Sequence, residues 1–75
     1  MILTSRAMSC LGWICKVTWK HGWSTMGNHR PCDIRELLRK EAIIPAGSVV
    51  VEGKRRKTYW PTQAGHQHFC NWYGN

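Results

Sequence analysis

The stretch from Val49 to Gly65, VVVEGKRRKTYWPTQAG, constrains this chain most. Three β-branched residues run into the turn-forming pair Glu52-Gly53, and Thr58-Tyr59-Trp60 return as strand formers. Between them lie four consecutive cations, Lys54, Arg55, Arg56 and Lys57. The pattern predicts a hairpin over residues 49–62, with Glu52-Gly53 and the cations in its loop. Pro61 then ends the returning strand or sits on an edge, because it has no N–H to donate.

The flanks of the hairpin read as helices. Residues 33–44 carry Ile34, Leu37, Leu38 and Ala42 on one face and Arg35, Glu36, Arg39 and Lys40 on the other. Asp33 with Glu36 is a capping-box-like start, and Pro45 and Gly47 stop the helix. Thr62 caps a closing helix over residues 63–72, with Ala64, Phe69 and Trp72 inward and Gly65 as a weak point. Residues 1–12 form a short helix on Ala7, Met8 and Leu11. Residues 13–23 mix both periods. The alternation of Trp13, Cys15, Val17 and Trp19 favours a strand punctuated by Gly12 and Gly22, although a helix also fits. Residues 24–32 read as a turn.

Seventy-five residues make one domain, 1–75. A chain of this length buries only about 60% of its unfolded surface, and such chains often lean on a metal, a disulfide or a partner. The 43% hydrophobic content and five Trp exclude disorder. Most of the Trp are expected in the core, with one or two, Trp60 first, exposed to stack on bases. No run approaches the ~20 apolar residues of a membrane span, and no membrane partner is expected. Arg6 and a brief apolar stretch resemble a leader, but cleavage would leave too little chain to fold.

Eleven Lys and Arg face four acids, a formal net of +7 and a pI near 9.8. That balance favours an anionic partner. The acids Asp33, Glu36, Glu41 and Glu52 all lie mid-chain, and nothing after Lys57 carries a formal charge except a protonated His.

A helix followed directly by a basic hairpin is the core of a winged-helix domain, so the expected fold class is α+β and winged-helix-like. DIRELLRKEAIIPAG followed by VEGKRRKTYWPTQAG resembles the small winged-helix domains of phage regulatory proteins over residues 33–65. Phage antirepressor C-terminal domains close the wing with a strand, then Pro-Thr, then Gly three residues after the Thr. Pro61-Thr62 and Gly65 match that pattern. Phage excisionases have a helix ending in an Ile-x-Pro-like segment, a basic hairpin and an aromatic strand. Ile43-Ile44-Pro45, Lys54 to Lys57 and Tyr59-Trp60 match that one. The resemblance implies a phage or prophage protein of the bacterial cytoplasm that binds double-stranded DNA without catalysis, in transcription regulation or recombination. It implies that Arg35, Arg39 and Lys40 face DNA beside Lys54, Arg55, Arg56 and Lys57. Antirepressor-like members act instead by binding a repressor protein.

The residue chemistry agrees in kind. Cations on a wing contact phosphate and release counterions, whereas sequence is read by base-contacting side chains, here Arg35 and Arg39. The plainer reading is a solvated hairpin tip whose charges discourage edge pairing. Two other functions fit the residues. One is a small basic inhibitor that docks on an acidic host or repressor protein through aromatic and Arg anchors. The other is a zinc-stapled module using Cys10, Cys15, Cys32, Cys70 and His66. No Cys-x2-Cys pair exists, so the cysteines also read as small buried hydrophobes, and no cofactor is expected. Nothing positions a Cys-His dyad, and Asp33 and Glu36 are explained by capping, so no enzyme is expected.

Overall fold

The computed structural model describes residues 1–74 and orders the chain as α1 (Ser5–His21), α2 (Pro31–Arg39), β1 (Ile43–Val51), β2 (Lys54–Pro61) and α3 (Gln63–Tyr73). It is a small α+β domain of three helices and one antiparallel hairpin.

The predicted strand at residues 13–23 is instead the second half of α1. Ala7, Leu11, Ile14 and Thr18 recur at helical spacing, and with Cys10 and Cys15 they form one buried stripe. Trp13 and Trp19 alternate in bulk, but both are exposed, so the period-2 pattern did not track burial. Thr4 caps the start, its Oγ1 accepting from the Ala7 N–H at 3.2 Å. The Gly22 N–H closes the end on the Thr18 carbonyl at 2.7 Å.

Asp33 does not cap α2. Arg30 is the cap residue, without a side-chain bond, and Pro31 opens the helix with its φ already fixed. Glu36 serves the other helix. It accepts from the Thr4 N–H at 2.9 Å and from the Thr4 hydroxyl at 3.2 Å. Thr4 and Glu36 thus complete between two helices the reciprocal bonding of a capping box. The Thr4 backbone bond is the main cause that holds the Glu36 carboxyl below its ordinary range, with help from Lys40 and Arg39.

α2 ends at Arg39 rather than Ile44. Glu41 turns left-handed (φ 59°), its N–H reaching Leu38 O at 3.1 Å, and Ala42 N–H reaches Leu37 O at 2.9 Å. This is a Schellman-type close with Glu where Gly is usual, so no stop signal was visible before Pro45. Ile43, Ile44 and Pro45 therefore belong to β1.

β1 pairs with β2 from Ile43↔Pro61 to Val51↔Lys54, with one irregularity between Pro45 and Gly47. Only Glu52 and Gly53 form the turn, with φ 51° and 78°. Two positive φ values are those of the tight turn that matches strand twist. The four cations are therefore not in a loop, as expected, but form the first half of β2.

Thr62 caps α3 as predicted, accepting from the Gly65 N–H at 3.0 Å. Phe69 packs inward, but Ala64 and Trp72 are exposed. The core is Ala7, Met8, Cys10, Leu11, Ile14, Cys15, Ile34, Leu37, Ala42, Ile43 and Phe69. None of the five Trp belongs to it: each is between 36% and 62% exposed. A core of aliphatic and sulfur-bearing side chains with the single ring of Phe69 leaves the indoles as an outer layer. Among the described residues no helix is long and apolar enough to cross a membrane.

Candidate nucleic-acid interface

Strand alternation splits the cations of β2 between two faces, Lys54 and Arg56 on one and Arg55 and Lys57 on the other. All four are exposed. Glu52, in the turn, is the only acid in the ribbon. Lys57 pairs with Ser48 and lies four residues up β2 from Pro61, which pairs with Ile43 at the base. The cations thus begin about 13 Å along β2, at ~3.3 Å per residue. The molecule is elongated, with extents of 38 × 24 × 17 Å.

The opposite edge of β2 is held at one point. The Tyr59 N–H donates to Ser24 O at 2.8 Å, so the α1–α2 loop runs beside β2. A cleft of about 430 Å³ opens there between residues 25–28 and Val51, Arg55, Arg56, Lys57 and Tyr59. Sequence reasoning missed the loop and Tyr59 as site residues. Tyr59 was findable, because it shares the period-2 face of Arg55 and Lys57. The loop was not, because its approach is tertiary.

The other candidates lie elsewhere. Arg35 and Arg39 are exposed and one helical turn apart on α2, which packs on α1 and meets β1. Lys40 donates from Nζ to the Ile2 carbonyl, which ties it to the N-terminal segment. Trp60 borders a separate hollow with Trp19 and His66. The structure therefore gathers Arg55, Arg56 and Lys57 around one cleft. It does not bring Arg35, Arg39, Lys40 or Trp60 to that cleft.

The zinc set is not gathered. Cys10 and Cys15 are buried free thiols. Burial, with Asp33 near Cys10 and Cys70 near Cys15, pushes them up to about 12 and about 11. Cys32 and Cys70 are exposed, and Cys70 Sγ lies 3.6 Å from His66 Nε2 along α3. Among the described residues no group of three His, Cys, Asp or Glu could hold a metal. No family model matches this chain, and no characterised protein or solved structure matches it either.

Proposed function

We propose that this chain is a non-catalytic DNA-binding accessory or regulatory protein of phage or prophage origin, acting in the bacterial cytoplasm on double-stranded DNA. The observation that carries the reading is the run of four exposed cations along one strand of a two-stranded ribbon that follows directly on a helix. Such a ribbon can lie along a phosphate backbone, each neutralised phosphate releasing counterion. On a winged-helix reading α2 approaches the groove, and the exposed Arg35 and Arg39 are its candidates to read bases.

The test is anisotropy of a labelled duplex of arbitrary sequence over a salt series. Wild type binds at low salt and loses affinity steeply as salt rises. Replacing Lys54, Arg55, Arg56 and Lys57 together by Gln reduces the slope of log K against log salt by roughly 2 to 4, at about 0.9 per phosphate lost. An unchanged slope would remove β2 from the contact.

A second reading rests on the exposed indoles. Five surface Trp on so small a domain suit a protein interface, where Trp and Arg are favoured anchors. On this reading the chain is a basic inhibitor of an acidic host or repressor protein. Absence of duplex binding at low salt, with one acidic protein co-purifying, would favour it.

A further inference from the structure

The cleft between β2 and the α1–α2 loop combines features that phosphate binding alone does not require. Arg55 and Lys57, on the strand face of Tyr59, supply charge on one side. Tyr59 and Met26 supply flat and apolar surface, and Asn28 supplies an amide with two donors and an acceptor. The volume, about 430 Å³, lies at the small end of ligand clefts.

The loop wall is firmly supported. The Trp13 indole N–H donates to Thr25 O at 3.2 Å, and the Gly27 N–H donates to Thr25 Oγ1 at 3.3 Å. Gly27 is left-handed (φ 61°), and a Cβ there would stand 2.9 Å from the Trp13 ring nitrogen. The other wall is fixed by the Tyr59–Ser24 backbone bond. Both walls are thus set before any ligand arrives, which lowers the ordering cost of binding.

We propose that this cleft seats a single nucleotide unit, with its phosphate on Arg55 and Lys57, its base against Tyr59 and Met26, and Asn28 at the base edge. The inference rests on the DNA-binding reading in taking β2 as the nucleic-acid-facing strand. A paired base in a regular duplex cannot enter such a cleft. An unpaired nucleotide in a bound strand and a free nucleoside monophosphate share the required chemistry.

The test titrates the full chain with 5′-AMP, adenosine and inorganic phosphate, by calorimetry and by Trp fluorescence. Trp13 buttresses the loop and serves as a reporter. 5′-AMP binds at least about 5-fold more tightly than phosphate or adenosine, the fold-change expected of one stacked base added to a phosphate contact. Asn28→Ala, on an exposed turn, and Tyr59→Leu both weaken 5′-AMP binding. Should Tyr59→Leu fail to fold, Asn28→Ala alone decides. A duplex with one bulged nucleotide separates the sources. If it binds better than the perfect duplex, the occupant is an unpaired nucleotide; if it binds equally well, the occupant is a free monophosphate. 5′-AMP no tighter than inorganic phosphate, or indifferent to Asn28→Ala, overturns the proposal. Steep salt-dependent duplex binding alongside that result removes the cleft and keeps the DNA reading. Tight 5′-AMP binding without duplex binding does the reverse.

Discussion

A methyl group at Gly65 would have no space. A Cβ built there lies 2.0 Å from the Ala42 carbonyl oxygen, a backbone atom that cannot rotate away. The same carbonyl accepts from the Thr62 N–H at 3.0 Å, and Thr62 Oγ1 donates to Glu41 O at 2.6 Å. The end of α2, the base of the ribbon and the start of α3 are thus joined within a few ångströms. Helix propensity alone would make Gly65→Ala stabilising by up to about 1 kcal/mol. Forcing α3 off the Ala42 carbonyl costs more, typically about 1–3 kcal/mol for overpacking and more against rigid backbone. We therefore expect Gly65→Ala to destabilise by about 2 kcal/mol, read as a lower urea midpoint and a melting temperature lower by roughly 10 °C. A stability equal to or above wild type would show that α3 is not seated on that carbonyl. In the sequence Gly65 looked like a weak helix position. Its use is a contact with a distant turn, which no local pattern encodes.

At the level of elements, legibility followed how local each signal was. The hairpin, the Thr62 cap and the inward face of Ile34 and Leu37 were readable because turn pair, cap and periodicity lie within a few residues. The second half of α1 was misread because large aromatics mimicked a strand while smaller residues, Cys10, Ile14 and Cys15, made the core stripe. The capping by Glu36 and the left-handed Glu41 were illegible, since one is a bond between helices and the other a conformation that Gly normally signals. The site divided the same way: the cations were plain, and the loop wall of the cleft was not. The ribbon turn carries its own prediction. Glu52 holds φ 51°, a conformation that Asn adopts more readily, and Asn-Gly is the preferred pair for this turn. Glu52→Asn should stabilise by about 0.5–1 kcal/mol in urea unfolding, since it relieves part of the ~1–2 kcal/mol cost of a left-handed residue. It also removes the only acid of the ribbon, so Glu52→Gln is the control. The Gln variant loses the charge without gaining the turn, and should be no more stable than wild type. Equal gains from both variants would assign the effect to charge.

For the whole molecule, the formal net of +7 makes folding and binding respond to salt in opposite directions. Cations two apart on one strand face are ~7 Å apart, where two unit charges in water repel by about 0.6 kcal/mol. β2 contains two such pairs, Lys54 with Arg56 and Arg55 with Lys57. Their repulsion costs roughly 1 kcal/mol at low salt and vanishes when the screening length falls to about 3 Å near 1 M. Raising NaCl from 10 mM to 1 M should therefore raise unfolding free energy by about 1 kcal/mol, while the same series weakens duplex binding by orders of magnitude. The variant with Gln at positions 54, 55, 56 and 57 carries a formal charge of 7 − 4 = +3. Its stability should start higher at low salt and change little, and its duplex affinity should start lower and fall less. General salting-out acts on both proteins alike, so the difference between their curves isolates the ribbon charges. If the cations were instead neutralised by carboxylates in the folded chain, salt would lower wild-type stability, and the Gln variant would be the less stable protein. That outcome would leave the ribbon with no free charge to offer a phosphate backbone, whereas opposite slopes for folding and binding would mean that a polyanion relieves a repulsion the folded protein carries by itself.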